Sequence, residues 1–177
     1  MNAKQTTIAI DAINALNLDA IKTKLMHRAS GEGWSQAHAD AVEIEYRRFL
    51  TLMKLYPNDA NAPMDDVDTF WHYHILDTAK YAADCAAAFG YFLHHYPYLG
   101  MADADGPAEL LAAGARTGEL YAATFGAAMR AMTLSPCSTF CISFSGRNRS
   151  ALASSAPTAA AARKARSWKS PTAPIPM

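Results

Sequence analysis

Few cysteines and no familiar catalytic motifs are present in this sequence, which disfavours several classes of protein. Its three cysteines, Cys85, Cys137 and Cys141, are too few for a disulfide framework and odd in number. No GxSxG, Walker-type or GxGxxG motif occurs, so nothing points to the enzymes and nucleotide-binding proteins that carry them. The sequence has no internal repeat, and no run of alternating β-branched residues is long enough to predict a strand.

Long apolar runs are also missing. Charged or turn-forming residues interrupt every apolar stretch before it reaches the length of a membrane span, so no membrane association is expected. The first twenty residues contain no basic region followed by an apolar run, so no signal peptide is predicted. We therefore expect a reducing, cytoplasmic compartment in which the cysteines are thiols.

Acidic residues are absent from the last part of the sequence. Up to residue 132 there are 10 Lys or Arg against 16 Asp or Glu, whereas residues 133–177 contain 6 basic residues and no acidic one. This part is rich in Ser, Ala and Pro, and such a composition buries too little surface to offset the entropy of ordering it. We predict a disordered basic tail over residues 133–177. A nucleic-acid-binding arm is disfavoured because the basic residues are sparse and only Trp168 offers a ring for base stacking.

Helical periodicity dominates the rest of the sequence. Two segments, residues 18–29 and 35–57, carry apolar residues three to four positions apart, the pattern of one buried helical face. A third helix is predicted over residues 66–89 and a fourth over about 107–132. The sequence therefore predicts an all-α fold, a single compact helical domain of about four main helices over residues 8–132.

Four of the six histidines lie close together in the third predicted helix and the segment that follows it. In "DVDTFWHYHILDT", residues 66–78, His72 and His74 are two positions apart, so a regular helix turns them about 200° away from each other. A single metal ion therefore cannot bind both from a regular helix. His74 falls on the apolar face of the helix, whereas Asp68, four residues before His72, faces the same way as His72.

His74 is the first residue of a predicted metal site. Asp77 lies one turn further along the helix, and the pair His94 and His95 returns towards it if the chain folds back after residue 90. Neutral imidazoles with a carboxylate suit zinc, iron or copper. We therefore predict a transition-metal cofactor with His74, Asp77, His94 and His95 as candidate ligands.

Asp68 and His72 form a separate pair of candidate catalytic residues, either supporting the metal ligands or acting as an acid–base group. If the protein is an enzyme, metal-assisted chemistry on a small molecule is the expected class of reaction, with water at open coordination positions. The alternative is a non-catalytic module that binds a protein partner and whose histidines are structural. A metal site requires His74 to meet His94 or His95, whereas a structural role requires a hydrogen-bond partner for each imidazole.

The stretch "VDTFWHYHILDTAKYAADCAAAFGYFLHHYPY" combines a W-H-x-H element with a D-C pair and an H-H pair. In this combination it resembles the glycine-rich domain-containing protein-like family, and the resemblance extends over about residues 35–132. It implies a helical domain and no established activity. Many members of that family end in a Gly- or Cys-rich tail, whereas the tail of this chain is rich in Ser, Ala and Arg. The residues that carry the resemblance are Asp66, Asp68, Trp71, His72, His74, Tyr81, Asp84, Cys85, Gly90, His94 and His95.

Overall fold

Six helices form the described part of the chain. The computed structural model describes residues 3–101 and 105–126, with side chains from residue 7. The helices are α1 Ala3–Asn14, α2 Asp19–Met26, α3 Gln36–Leu55, α4 Asp65–Leu76, α5 Thr78–Ala88 and α6 Gly106–Phe125. The predicted all-α class is confirmed, with six helices in place of about four. Within the described residues, no helix is long and apolar enough to cross a bilayer. The predicted tail, with Cys137 and Cys141, lies outside the described residues.

Helix α3 lies at the centre of the fold, where it packs against α1, α2, α4 and α6. Its first turn is capped by Ser35, whose side chain accepts a hydrogen bond from the backbone N–H of His38 at 3.2 Å. Its apolar face is buried in the main core with residues of α1, α2, α4 and α5. A smaller cluster of Leu52, Leu120 and Tyr121 attaches α6 to the C-terminal half of α3.

The third predicted helix is two helices in the structure. Helices α4 and α5 meet at Asp77, whose ψ of 70° lies outside the helical region. The prediction of one continuous helix over residues 66–89 was therefore wrong. The physical reason is the set of contacts that α5 makes with α4: Trp71 Nε1 lies 2.9 Å from the hydroxyl of Tyr81. Ten residues along a straight helix would separate this pair by about 15 Å, so the chain has to turn between them.

Helix α6 also ends earlier than predicted. Gly126 has a φ of 67°, and its N–H donates to the carbonyl of Ala122 at 3.0 Å, which is a left-handed C-terminal cap. Only glycine adopts this conformation without a steric penalty from Cβ. The helix therefore ends at Phe125, short of the expected end near residue 132, and residues 127–132 lie outside the described part of the chain.

Lys54 is a buried lysine between α3 and the end of α5. Lys54 is only 8% exposed, and its Nζ donates a hydrogen bond to the carbonyl of Phe89 at 3.0 Å. The ammonium also lies 5.6 Å from the Phe89 ring and 6.0 Å from the Tyr91 ring. A cation at the carboxyl end of a helix and beside aromatic faces is favoured. Burial nevertheless lowers the pKa of Lys54, so its environment disfavours the charged amine on balance.

Replacing Lys54 with methionine is expected to give a stability difference that depends on pH. Because the pKa in the folded state lies below the ordinary 10.5, the unfolded chain binds more protons than the folded chain between those two values. The free energy of unfolding of the wild type therefore rises relative to Lys54→Met as the pH increases through that window. Urea unfolding of both proteins at pH 7 and pH 10 measures the change.

A second lysine provides the control for this prediction. Ion pairs, above all with Glu43, raise the pKa of Lys22 above its ordinary value, so its contribution to stability is lost only above the ordinary lysine pKa. Lys22→Met is therefore expected to differ from the wild type by the same amount at pH 7 and pH 10. A pH-independent difference for Lys54→Met would contradict the prediction.

Candidate metal centre

His72 and His74 lie on opposite sides of α4, as the helical spacing predicts. The side chain of His72 is 49% exposed, whereas His74 is only 1% exposed. Two residues along an α-helix turn the side-chain direction by about 200°. The two histidines therefore belong to two different groups of side chains, one inside the core and one at the surface.

His74 lies in a buried hydrogen-bonded chain that joins three helices. The hydroxyl of Tyr46 on α3 is 2.9 Å from His74 Nδ1, and His74 Nε2 is 2.9 Å from Asp84 Oδ2 on α5. Lys80 Nζ donates to the same Asp84 oxygen at 2.7 Å. Burial lowers the pKa of His74, and the neighbouring Asp84 opposes this effect. A neutral imidazole that accepts from Tyr46 and donates to Asp84 satisfies both ring nitrogens.

The predicted ligand set of His74, Asp77, His94 and His95 is not assembled in the structure. Among the described residues, no hydrogen bond, ion pair or ring contact joins His74 to His94 or His95. Asp77 is exposed at the junction of α4 and α5, and the exposed His94 packs on the ring of Phe92 with centroids 4.9 Å apart. Because both nitrogens of His74 have protein partners, this histidine meets the condition for a structural role.

A different set, Asp68, His72 and His95, comes together on the outer face of α4. Asp68 Oδ1 is 3.0 Å from His95 Nε2, and Asp68 Oδ2 is 3.6 Å from His72 Nδ1. The centroids of the two imidazole rings are 4.6 Å apart. One potential ligand atom from each of the three residues lies within 4.8 Å of the other two. The side chains are 31%, 49% and 15% exposed respectively, so solvent reaches the group, which we name the Asp68 cluster.

Local sequence explains how the Asp68 cluster forms. Asp68 and His72 are four residues apart and therefore neighbours on one face of α4. Gly90, with a φ of 78°, ends α5 and lets the chain return along α4. Residues 91–101 follow, and we name them the returning segment. Within it Leu93 is buried, His94 is exposed and His95 is partly buried, which is the alternation of extended chain. The buried Leu93 therefore places His95 against Asp68.

Trp71 and Tyr81 connect the returning segment to the two helices. The Nε1–H of Trp71 donates to the Tyr81 hydroxyl at 2.9 Å, and that hydroxyl donates to the Leu93 carbonyl at 2.5 Å. The Trp71 ring also contacts the His95 ring, with centroids 4.6 Å apart and planes at 62°. Burial raises the pKa of Tyr81, so the phenol stays protonated and available as a donor.

Several of these partners were missed by sequence reasoning. Tyr46 and Asp84 were not predicted as hydrogen-bond partners of His74, although Asp84 is part of the D-C pair noted in the sequence. A second histidine–carboxylate pair was also missed: His38 Nε2 is 3.3 Å from Asp66 Oδ2 and joins the starts of α3 and α4. These pairs are formed by residues 10 to 28 positions apart, and helical periodicity carries no signal for such contacts.

The donor set of the Asp68 cluster has a defined metal chemistry. Two imidazole nitrogens and one carboxylate oxygen are ligands that zinc and iron(II) take, and three protein ligands leave positions open for water or substrate. Metal–ligand bonds of about 2.0 to 2.2 Å place tetrahedral donors about 3.3 Å apart, so ligand atoms that lie within 4.8 Å of one another have to close by up to about 1.5 Å. The half-exposed His72 is the side chain with the freedom to make this movement.

The fold and the cluster define a helical domain with a histidine–carboxylate group at its surface. The chain belongs to the UCP032817-like family, whose family model matches residues 11–110. The match includes all three residues of the Asp68 cluster and gives no activity. No curated protein and no solved structure matches the chain. The match does not carry the name of the glycine-rich domain-containing protein-like family.

Proposed function

We propose that the protein binds one divalent transition metal ion through Asp68, His72 and His95. The observation that carries this proposal is the approach of one ligand atom from each residue to within 4.8 Å of the other two. The Asp68 carboxylate already faces one imidazole with each of its oxygens, at 3.0 and 3.6 Å. Of the four ligands predicted from the sequence, the proposal retains His95. Asp68 and His72, which were predicted as catalytic residues, become metal ligands.

Zinc or iron(II) is the metal that this set of donors favours. A hard ion such as Mg²⁺ prefers oxygen ligands, whereas two imidazoles favour borderline metals. With three protein ligands, the remaining positions bind water or the polar group of a small molecule. Metal-assisted chemistry on a small molecule is the reaction class that such open positions permit.

Elemental analysis of untagged protein, purified without chelators, tests the proposal. We expect one zinc or iron ion per wild-type chain and a measurable zinc affinity in competition with a chromophoric chelator. Removing a ligand is expected to weaken zinc binding by more than the roughly 10- to 100-fold that loss of an outer hydrogen-bond partner causes. Asp68→Ala and His95→Ala are the variants of choice because both residues are partly exposed.

His94→Ala is the matched control for His95→Ala. The two histidines are adjacent in sequence, but His94 is exposed against Phe92 and does not belong to the cluster. This variant is expected to keep the affinity and stoichiometry of the wild type. Equal losses in His94→Ala and His95→Ala would indicate non-specific binding and count against the site.

A second candidate function is the protein-interaction module, which exposed apolar side chains favour. Tyr98, Met101 and Leu111 are 62%, 64% and 75% exposed, and they lie in the returning segment and the start of α6. Single exposed apolar residues are common, but several on neighbouring segments are typical of contact surfaces. A wild type that folds normally and takes up no zinc, iron or copper would favour this function. The resemblance to the glycine-rich domain-containing protein-like family agrees with either proposal.

A further inference from the structure

We propose that the hydroxyl of Tyr81 positions His95 as a metal ligand, an inference that rests on the function proposed above. Tyr81 is 1% exposed and its hydroxyl does not belong to the Asp68 cluster. It acts on His95 through two neighbours, the carbonyl of Leu93 and the indole of Trp71. Tyr81 is therefore a positioning residue, separate from the ligands themselves.

The first connection runs through the backbone. His95 lies in the returning segment, which has no helical hydrogen bonds of its own between residues 91 and 95. The Tyr81 hydroxyl donates to the Leu93 carbonyl at 2.5 Å and so fixes the chain two residues before His95. This hydrogen bond fixes the distance between the returning segment and α5, and the hydrogen bond from Trp71 to the same hydroxyl ties α5 to α4. Together the two bonds set the reach of His95 towards Asp68.

The second connection runs through the Trp71 ring. Nε2 is the only ring nitrogen of His95 for which the described residues provide a hydrogen bond, the one to Asp68. Packing therefore helps to set the plane of the imidazole, whose centroid lies 4.6 Å from the rings of both Trp71 and His72. Of these two rings, Trp71 is buried and His72 is half-exposed, so Trp71 is the fixed contact. The Trp71 indole is in turn held by its 2.9 Å hydrogen bond to Tyr81. One hydroxyl thus fixes both the backbone and the ring contact of the ligand.

A purely structural Tyr81 would affect folding alone, whereas a positioning Tyr81 also affects the metal. Outer groups that orient a metal-binding histidine change metal affinity about 10- to 100-fold when they are removed. Tyr46 gives a matched comparison: it is also fully buried, its hydroxyl also makes a hydrogen bond to an α4 side chain, and that partner is His74 in the core. Tyr46→Phe removes a similar group without touching the Asp68 cluster.

The experiment compares zinc affinity and the visible absorption spectrum of bound cobalt(II) in the wild type, Tyr81→Phe and Tyr46→Phe. We expect Tyr81→Phe to weaken zinc binding about 10- to 100-fold and to change the cobalt spectrum, because the geometry at His95 changes. Tyr46→Phe is expected to keep the affinity and spectrum of the wild type. Circular dichroism at the binding temperature verifies that each variant is folded. Trp71→Phe, which keeps a ring beside His95 but loses the N–H donor, replaces Tyr81→Phe if that variant does not fold, with a smaller loss expected.

The outcomes separate this inference from the proposed function. If the wild type binds zinc, and Tyr81→Phe has the same zinc affinity and the same cobalt spectrum, the positioning role is overturned. The metal site itself would still stand. Equal weakening in both tyrosine variants would also overturn it, since general destabilisation would then explain the loss. A wild type that binds neither zinc nor cobalt would overturn the metal site and the positioning role together.

Discussion

We expect His74→Ala to lower the free energy of unfolding by about 3 kcal/mol or more, a large effect for a single substitution on α4. The substitution leaves a cavity in a site that is 1% exposed. It also strands the Tyr46 hydroxyl, which loses its 2.9 Å partner inside the core. A buried polar group without a partner costs about 1 to 3 kcal/mol, and the lost packing adds to this value. Asp84 keeps its ion pair with Lys80 and therefore contributes less to the loss.

His72→Ala is the control for this prediction, because the same residue type is removed from the same helix two positions away. Its side chain is 49% exposed, so we expect a change within about 0.5 kcal/mol. Urea unfolding of metal-free protein, followed by circular dichroism, measures both variants. Equal stabilities for His74→Ala and His72→Ala would contradict the assignment of His74 to the core. His74→Gln, which keeps a polar group near Asp84, is expected to recover part of the loss.

The residues of the W-H-x-H element make contacts on both sides of α4, in the core and at the surface. Trp71 joins α4 to Tyr81 and packs on His95, His72 faces Asp68, and His74 links α3 to α5. Each position therefore has its own physical requirement: an indole donor, a reachable imidazole and a buried imidazole with two partners. This division explains how a compact motif of closely spaced aromatic residues serves both the core and the surface.

Local pattern predicted the parts of this structure that depend on neighbours in sequence. The buried face of α3 and the opposite directions of His72 and His74 both follow from spacing along a helix. The i, i+4 pairing of Asp68 with His72 follows in the same way. Such relations hold for any helix, whatever surrounds it, and single-sequence reasoning is strongest there.

Contacts between distant residues were beyond that reasoning. The break at Asp77 has no glycine or proline to mark it, and it exists because α5 must fold back for Tyr81 to reach Trp71. The path of the returning segment decides whether His95 meets Asp68 or His74, and it depends on the burial of Leu93. Both features are set by tertiary packing, which overrides local preference where the two differ.

Zinc is expected to stabilise the wild-type fold strongly, because the Asp68 cluster joins α4 to the returning segment only in the folded chain. A ligand that binds the folded state alone raises the free energy of unfolding by about 2.7 kcal/mol at a free concentration 100 times its Kd, and by about 4.1 kcal/mol at 1,000 times. Zinc binding by the unfolded chain would reduce this gain. Urea unfolding at buffered free zinc concentrations measures the effect, and amide hydrogen exchange should slow in residues 91–95 as zinc is added.

His95→Ala and His94→Ala make this stabilisation specific to the site. The first removes a cluster residue and is expected to abolish most of the zinc-dependent gain, whereas the second removes an exposed neighbour and is expected to retain it. The gain should also grow with the logarithm of free zinc above the Kd, since each tenfold increase adds about 1.4 kcal/mol once the site is saturated. A gain of the same size in both variants would assign the stabilisation to histidines elsewhere on the surface. If zinc does not raise the free energy of unfolding of the wild type, the Asp68 cluster has only a structural role, as a hydrogen-bonded connection between α4 and the returning segment.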